Sequence, residues 1–381
     1  MKYYHLNARL LAPLMVQENR QSNAPCGLPY LPGGSLRGAV AGIYLRNGGS
    51  PEDPAFRTIF LDDPVCFPDL LPSHSPDQAS RPLPMTAASC KRSPGFILDK
   101  AHGVCDSLAA FMAAELEGGP VTGALACTAC AQDIKPFSGF WNGNLTGAQK
   151  NDPVLVYHRH TGIDRHTGTV ASSIFYITQG IAESWKSSDD RYHPQYLSGG
   201  LFLNKDQFEI LSDWLTETVF AGADRTRGMG ELAISLNKTQ TPAFDLKAWS
   251  SSFKNKLSGL TSKQIPPGEY FSVGFASHAI MVDAFLRPSQ EIMPDFPDLV
   301  MDTRMIRQHT VRGWQASWQL PKPEDVAIGM GGVCLFRYTG NDIQGLNTYL
   351  TQLMIKGIGL RRSEGFGRIH VCDPFHIQEV I

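Results

Sequence analysis

Two stretches of the chain repeat one order of hydrophobic and polar positions. In each, an apolar run that opens with two glycines precedes a segment with apolar residues near the helical period. A segment rich in glycine and arginine and a second short apolar run follow. The pattern predicts strand, helix, loop and strand twice, which indicates an internal repeat of one α/β unit. The strand, helix and strand of each copy are predicted at 199–203, 206–220 and 232–236, and at 331–336, 341–355 and 368–371.

The two loops match position by position. Residues 225–232 read Arg-Thr-Arg-Gly-Met-Gly-Glu-Leu, and residues 362–369 read Arg-Ser-Glu-Gly-Phe-Gly-Arg-Ile. Glycine permits positive φ and close approach of the backbone, successive N–H groups can surround an anion, and guanidinium groups match phosphate. We therefore expect both loops to bind a polyanion, the alternative being a plain helix-to-strand connection with solvated arginines. The predicted contact residues are Arg225, Arg227, Gly228, Gly230, Arg361, Arg362, Gly365, Phe366, Gly367 and Arg368.

A histidine- and arginine-rich stretch at 157–169 contains His-Thr-Gly twice and precedes a strand-like run at 173–178. Its side chains suit contacts with RNA phosphates and bases. Imidazoles also titrate near neutrality, so they could perform acid-base cleavage of RNA with Asp164 orienting one of them. A third interpretation is a β-hairpin with polar tips. The candidate RNA-binding residues are His158, Arg159, His160, Arg165 and His166.

A further anion site is predicted near the start of the chain. A strand at 3–15 and the run Pro32-Gly33-Gly34-Ser35 lead into a helix at 36–46, with Ser35 as its N-cap. Arg37 would lie at the mouth of the helix N-terminus, where phosphates bind readily. The alternative is a surface arginine in a salt bridge.

Length and charge restrict the class of protein. The 381 residues suffice for two domains, and 42% hydrophobic and 18% charged residues are typical of a soluble globular protein. A formal net charge of -2 excludes a bulk cationic nucleic-acid binder, so an RNA surface has to be local. No signal-like start and no run of about 18 apolar residues occur, so a cytoplasmic protein is expected.

The segment at about 50–153 is rich in proline, glycine and cysteine and has weak periodicity, which predicts an insertion into the first domain. The chain's eight cysteines are too unevenly spaced for a disulfide framework. Cys127 and Cys130 have the spacing of a zinc knuckle, and Cys90 with either His102 or Cys105 could complete a closed structural site. The alternative is a set of reduced, buried cysteines.

These motifs resemble the RAMP superfamily of CRISPR-associated proteins, over nearly the whole chain. The similarity is closest to the large RAMP subunit of type III-D effectors, the Csx-ten family. The most specific motif is Gly-Ile-Gly-Leu-Arg-Arg-Ser-Glu-Gly-Phe-Gly-Arg at 357–368, ahead of a short strand and Pro-Phe-His. The supporting motifs are Leu-Pro-Gly-Gly-Ser-Leu-Arg-Gly-Ala at 31–39, Cys-Lys-Arg-Ser-Pro-Gly-Phe at 90–96, His-Gly-Val at 102–104, Ile-Asp-Arg-His-Thr-Gly at 163–168 and Arg-Thr-Arg-Gly-Met-Gly at 225–230.

The resemblance implies an α+β fold of two tandem ferredoxin-like (RNA-recognition-motif-like) RAMP domains. The first would span 1–245, with the zinc-stapled insertion at about 50–153, and the second 262–381. It further implies a Cas-five-like, non-catalytic subunit that grips the 5′ repeat-derived tag of the guide RNA. The implied partners are that RNA, the large polymerase-like subunit and adjacent RAMP backbone subunits, with target RNA contacted indirectly and no membrane. Two alternatives stay open: an endoribonuclease using the histidine stretch, and a zinc-stapled assembly scaffold with little RNA contact.

Overall fold

The structure, a computed structural model, describes residues 1–17, 27–119, 126–187, 189–293, 296–315 and 318–381, with only the backbone at 172–174. Within these residues the fold is mixed α/β, and the strand pairs of the two main sheets run antiparallel, which is typical of an α+β protein. The helices are α1 (Gly33–Arg46), α2 (Pro54–Phe60), α3 (Leu108–Glu117), α4 (Lys205–Trp214), α5 (Leu246–Ser258) and α6 (Ile343–Lys356). None of them is long and apolar enough to span a membrane in the part of the chain described.

The strands follow in chain order. They are β1 (Lys2–Leu10), β2 (Leu71–Ser73), β3 (Arg81–Pro82), β4 (Ala87–Cys90), β5 (Val104–Asp106), β6 (Ile134–Pro136), β7 (Phe140–Trp141), β8 (Leu155–Ile163), β9 (Val170–Ile181), β10 (Ser184–Lys186), β11 (Tyr192–Pro194), β12 (Tyr196–Leu203), β13 (Val219–Phe220), β14 (Glu231–Lys238), β15 (Glu269–Phe275), β16 (Leu299–Met305), β17 (Gln308–Val311), β18 (Trp314–Gln315), β19 (Leu320–Pro321), β20 (Asp325–Ile328), β21 (Val333–Tyr338) and β22 (Ile369–Val371).

The chain forms two compact units. The first unit comprises Met1–Ser80, Asn151–Gln240 and Val311–Asp325, and the second comprises Arg81–Lys150, Thr241–Thr310 and Val326–Ile381. Most of the proline- and cysteine-rich segment predicted as an insertion into the first domain therefore packs with the unit that carries the second glycine-arginine loop.

The first unit is built on a five-stranded sheet of order β13-β14-β1-β12-β2. Its buried side is covered by α1 and α4, and the core contains Leu6, Leu36, Leu197 and Leu211. Helix α4 begins at a capping box in which the Asn204 side chain accepts a hydrogen bond from the Gln207 N–H. Strands β8 and β9 form a separate two-stranded hairpin.

The second unit is built on a four-stranded sheet of order β16-β21-β15-β22. Its core gathers Phe253 of α5, Phe271 of β15, Leu335 of β21 and Leu346 of α6. Helix α3, from the cysteine-rich segment, contributes Leu108 to the same core. The described residues between β15 and β16 contain no helix, whereas α1 and α2 follow β1 in the first unit.

The predicted elements of both copies are confirmed, with one shortened helix. The helix expected at 206–220 ends at Trp214, and residues 219–220 instead form β13. The Thr216 hydroxyl donates to the Asp213 carbonyl at 2.9 Å, and such side-chain bonding favours helix ends over helix interiors. The N-cap predicted at Ser35 is wrong: α1 begins at Gly33, after Pro32.

Candidate nucleic-acid interface and metal centre

The two glycine-arginine loops have the same backbone conformation. Each contains a three-residue 3₁₀ turn, Arg225–Arg227 or Arg362–Glu364, flanked by two residues in the left-handed region. Each then passes one residue and reaches a second left-handed glycine, Gly230 or Gly367. Their hydrogen bonds match as well: Gly230 N donates to the Pro13 carbonyl and Gly367 N to the His278 carbonyl, both at 2.8 Å. The duplicated unit predicted from sequence therefore includes an equivalent loop geometry.

The second glycine of each loop is required by the protein's own packing. A Cβ at Gly230 would overlap the carbonyl oxygen of Ala221, and a Cβ at Gly367 would overlap that of Ile358. A Cβ at Gly228 would meet no atom within 4 Å. We expected these glycines to allow close approach of the backbone to a ligand. At Gly230 and Gly367 the protein's own packing is a sufficient reason for glycine.

Each loop contains an internal ion pair, and the two pairs have opposite polarity. In the first loop Arg227 NH1 lies 3.7 Å from Asp224 Oδ2, and in the second Arg361 NH2 lies 2.9 Å from Glu364 Oε2. Asp224 and Arg361 occupy the same left-handed position before the 3₁₀ turn. The charge of one arginine in each loop is thus neutralised locally.

The remaining arginine of each turn, Arg225 or Arg362, occupies the first position of the 3₁₀ turn and is exposed. Within the described residues its guanidinium makes no hydrogen bond or ion pair. The two loops therefore present one solvent-facing, unneutralised arginine at the same structural position.

The structure joins the first loop to the histidine hairpin. Arg227 NH1 donates to the Tyr176 hydroxyl at 3.1 Å, and the Tyr176 ring stacks on His160 with centroids 4.5 Å apart. The His160 Nε2 lies 3.0 Å from the Thr178 hydroxyl. The Tyr176 hydroxyl and Asp224 raise the pKa of Arg227 above its ordinary value. Tyr176, which the sequence analysis missed, connects two stretches predicted separately.

The hairpin distributes its predicted residues over two faces and a tip. Cross-strand partners share a face, and His158 pairs with Thr178 and His160 with Tyr176. Arg159 pairs with Ile177 on the other face. Arg165 and His166 lie exposed in the turn between the strands. The five residues thus do not form one cluster.

Asp164 holds the hairpin turn. Its Oδ1 accepts hydrogen bonds from the backbone N–H groups of His166 at 2.8 Å and Thr167 at 3.1 Å. The Thr167 and His166 N–H groups lower the pKa of this carboxyl. Its described contacts are those of a turn-forming residue and do not orient an imidazole.

Arg37 has an intramolecular role. Its NH2 donates to the Phe60 carbonyl at 3.1 Å, and its guanidinium lies over the Phe60 ring. At the N-terminus of α1, the Gly33 N–H donates to Asp69 Oδ1 at 2.8 Å. A carboxylate of the protein thus occupies the place where a phosphate was expected.

Residues near the second loop were also missed from the sequence. The His278 ring stacks on His309 with centroids 4.0 Å apart, and His278 Nδ1 accepts from the Met330 N–H at 3.0 Å. His278 also supplies the carbonyl that binds Gly367. The Arg361 guanidinium lies 4.8 Å from the Phe366 ring centroid. The backbone N–H of the half-buried Arg368 donates to Ser277 Oγ at 2.9 Å.

Four residues of the second unit form a cluster that could hold a metal ion. The Sγ atoms of Cys90, Cys127 and Cys130 and a ring nitrogen of His102 all lie within 4.8 Å of one another. Cys90 and Cys130 are 3.5 Å apart, and Cys127 lies 3.6 Å from His102 Nδ1. Tetrahedral zinc with Zn–S bonds of about 2.3 Å would separate its ligand atoms by about 3.8 Å. The donor set and spacing fit such an ion.

Local backbone structure prepares the cluster. Cys127 N donates to the Gln132 carbonyl and Ala131 N to the Cys127 carbonyl, both at 2.8 Å, which closes the knuckle. The backbone N–H groups of Ser93 and Arg92 lower the pKa of the Cys90 thiol to about 6, despite the opposing effect of burial. A thiolate at neutral pH is the form that binds metal.

His102, not Cys105, completes the cluster. The Cys105 thiol instead lies 3.4 Å from the Ala88 carbonyl, and burial raises its pKa. Of the two alternatives predicted for the fourth ligand, His102 lies in the cluster and Cys105 does not, because strand β5 directs the Cys105 thiol to the backbone of β4.

No protein-family model and no curated protein matches the chain. Among solved structures, it is similar to a chain of the type III-B Cmr-beta complex bound to cognate target RNA and AMPPnP, with 12% identity, 87% of this chain and 86% of that chain covered, and a TM-score of 0.43. It is also similar to oligomeric Cmr4 from Pyrococcus furiosus (11% identity, 63% and 100% covered, TM-score 0.25) and to a CRISPR protein from Archaeoglobus fulgidus (10% identity, 89% and 93% covered, TM-score 0.24).

Proposed function

We propose that the protein is a non-catalytic guide-RNA-binding subunit of a type III CRISPR effector, of the III-D kind. In this role it binds the 5′ repeat-derived tag and caps the backbone filament beside the large subunit. The sequence motifs described above support the family, and two ferredoxin-like domains are supported by the sheets. In each unit the first and third strands are central, β1 and β12 or β15 and β21, as in a ferredoxin-like β-α-β-β-α-β sheet.

The observation that carries the proposal is the equivalent placement of Arg225 and Arg362. Both are exposed, and both lack an acidic partner among the described residues, although the neighbouring arginine in each loop is paired. An exposed arginine without an acidic partner can bind a phosphate, because the two N–H groups of the guanidinium fork match two phosphate oxygens. Single-stranded RNA is held by such phosphate contacts together with stacked bases.

We expect the double variant Arg225→Ala/Arg362→Ala to bind guide RNA more weakly and with a smaller salt dependence. Each lost phosphate contact should reduce the slope of log K against log[salt] by about 0.7 for a single strand. The double variant should therefore lose about 1.4 in slope. Titration of labelled repeat-tag RNA at several salt concentrations measures both quantities.

Arg57→Ala is the matched control for this experiment. It removes one exposed arginine of α2 in the first unit. The Arg57 NH2 group lies 2.6 Å from Oδ1 of Asp62, which follows the helix. Its RNA affinity and slope should equal those of the wild type. Equal losses in the control and the double variant would indicate a general charge effect and would contradict a specific role for the loops.

The zinc-site proposal concerns Cys90, His102, Cys127 and Cys130. Four protein ligands leave no open coordination position, so a bound zinc would be structural. The cluster links the end of β4, His102 two residues before β5, and the knuckle at 127–130. Zinc would thus stabilise a segment whose strands are short.

The endoribonuclease alternative makes a separate prediction. Because Asp164 is engaged in the hairpin turn and His160 with Thr178 and Tyr176, we expect no specific cleavage of repeat RNA by the purified protein. Incubation of 5′-labelled repeat RNA with the protein, with and without divalent ions, tests this. Cleavage at one position that His160→Ala abolishes would establish the alternative.

The position of the subunit on the guide is tested by the RNA that co-purifies with it. RNA retained at moderate salt should share a uniform repeat-derived 5′ end followed by varied spacers. Sequencing from the 5′ end measures this. Bound RNA without a common 5′ end would oppose capture of the tag and would favour a scaffold role.

A further inference from the structure

A separate pocket lies at one end of the first unit's sheet, where β1 and β12 meet the start of α4. Its volume is about 480 Å³, within the range of small-molecule sites. Its lining includes the apolar side chains of Tyr4, Leu203 and Phe208. The charged groups of the lining are the ammonium groups of Lys2, Lys205 and Lys238 and the carboxylate of Glu209. The pocket therefore combines an apolar floor with a concentration of positive charge.

Strand register explains why lysines face this pocket. In an antiparallel sheet, directly paired residues and residues two apart in one strand lie on the same face. Lys2 pairs with Leu203, and Tyr4 pairs with Lys238. Since Lys2 and Tyr4 are two residues apart, all four side chains lie on the face that α4 covers.

These two lysines have no acidic partner. Within the described residues neither Lys2 nor Lys238 forms an ion pair, while Lys205 lies 3.6 Å from Glu209 across an exposed helix turn. Both lysines are exposed where the strands end, so their ammonium groups are accessible to a ligand at the mouth of the pocket. Their placement beside a pocket indicates an anionic ligand.

The floor of the pocket contains an aromatic pair. The rings of Tyr4 and Phe208 stack with centroids 4.5 Å apart and an interplanar angle of 17°. The capping box of Asn204 and Gln207 fixes the start of α4, and Gln207 Nε2 also donates to the Asp63 carbonyl at 3.0 Å. The aromatic surface is thus held by a rigid support, which lowers the entropic cost of binding a flat ligand.

We propose that this pocket binds a nucleoside phosphate, with the base against the half-buried Phe208, whose ring is backed by the buried Tyr4, and the phosphate near Lys2 and Lys238. A planar ring system and a phosphate are the two features that match an aromatic floor and free ammonium groups. The site goes beyond guide-RNA binding by the arginine loops and involves none of their residues. The same chemistry could come from a free mononucleotide or from a nucleotide within an RNA strand.

Isothermal titration with adenosine 5′-monophosphate tests the proposal on the full-length protein. We expect saturable binding, with inorganic phosphate and adenosine each at least about tenfold weaker, since each retains only one half of the recognition. The Lys2→Ala/Lys238→Ala variant should bind the monophosphate about tenfold more weakly. Phe208→Leu retains apolar bulk but removes the ring, so it should weaken binding about tenfold, the lower part of the range for base stacking.

Matched variants separate binding from folding and from the RNA proposal. Glu209→Gln should strengthen binding a few-fold, because a carboxylate at the rim repels phosphate. Arg225→Ala/Arg362→Ala should bind the monophosphate as the wild type does, even where guide RNA is lost. In that background, competition by an RNA decamer would assign the site to RNA, and lack of competition would assign it to a free nucleotide. Absence of saturable binding, or wild-type binding by a folded Lys2→Ala/Lys238→Ala variant, would overturn the proposal.

Discussion

Cys127→Ser is expected to release zinc from the second unit and to lower its thermal stability severely. Structural zinc contributes on the order of 10 kcal/mol of folding free energy in small domains, and a serine hydroxyl is a poor replacement for a thiolate ligand. Loss of only part of this free energy should reduce the melting temperature by about 10 °C or more. Elemental analysis of the purified protein and thermal unfolding, with and without a chelator, measure the effect.

Cys105→Ser provides a matched control. Its thiol lies outside the four-residue cluster and contacts the Ala88 carbonyl, which a hydroxyl can also bond. We expect full zinc content and a melting temperature within about 2 °C of the wild type. Wild-type protein without zinc, together with unchanged stability in Cys127→Ser, would favour reduced structural cysteines.

The same two sets of variants separate the RNA-binding and scaffold roles. A scaffold predicts that assembly with other subunits survives Arg225→Ala/Arg362→Ala but fails in Cys127→Ser. An RNA-binding subunit predicts loss of guide RNA in the arginine variant while the protein remains folded. Size-exclusion profiles and the RNA content of the purified complex distinguish the two.

Gly367→Ala should destabilise the second unit by about 3 kcal/mol or more, a loss far larger than that of a typical glycine substitution. The new Cβ would overlap the Ile358 carbonyl oxygen, and a φ of +74° is itself unfavourable for alanine. Denaturant unfolding measures this loss. Gly230→Ala should behave likewise in the first unit, since its Cβ would overlap the Ala221 carbonyl oxygen.

Gly228→Ala is the control for the glycine prediction. Its φ of +78° is equally left-handed, but a Cβ there would meet no neighbour within 4 Å. It should therefore cost only about 1–2 kcal/mol, the penalty of the backbone conformation alone. Equal costs at Gly228 and Gly367 would show that conformation, and not the carbonyl contact, selects glycine.

Local features of the fold were readable from the sequence. The repeat was visible because each copy has a segment of helical apolar period followed by glycines at matching positions. In the second copy that segment is the helix at 343–356. The knuckle at Cys127 and Cys130 was visible because its ligand spacing is short. The sequence pattern thus predicts local structure that depends on a few consecutive residues.

Contacts between distant segments were not readable in the same way. The sequence does not name α5 as the neighbour of α3. The segment at about 50–153 was predicted as an insertion into the first domain from its place in the chain, whereas residues 81–150 pack with the second unit. The stack of His278 on His309 and the contact of Arg227 with Tyr176 depend on tertiary structure. The lysines of the pocket required the strand register.

The reversed ion pairs, Asp224 with Arg227 and Arg361 with Glu364, show which substitutions each loop can accept. A pair of opposite charges keeps its attraction when both members change sign, so this position tolerates coordinated exchange. The exposed arginine between the two members, Arg225 or Arg362, has no such compensating partner among the described residues, and both loops carry arginine there. Within one polypeptide the two loops thus combine an ion pair whose members have exchanged places with an exposed arginine at one unchanged position.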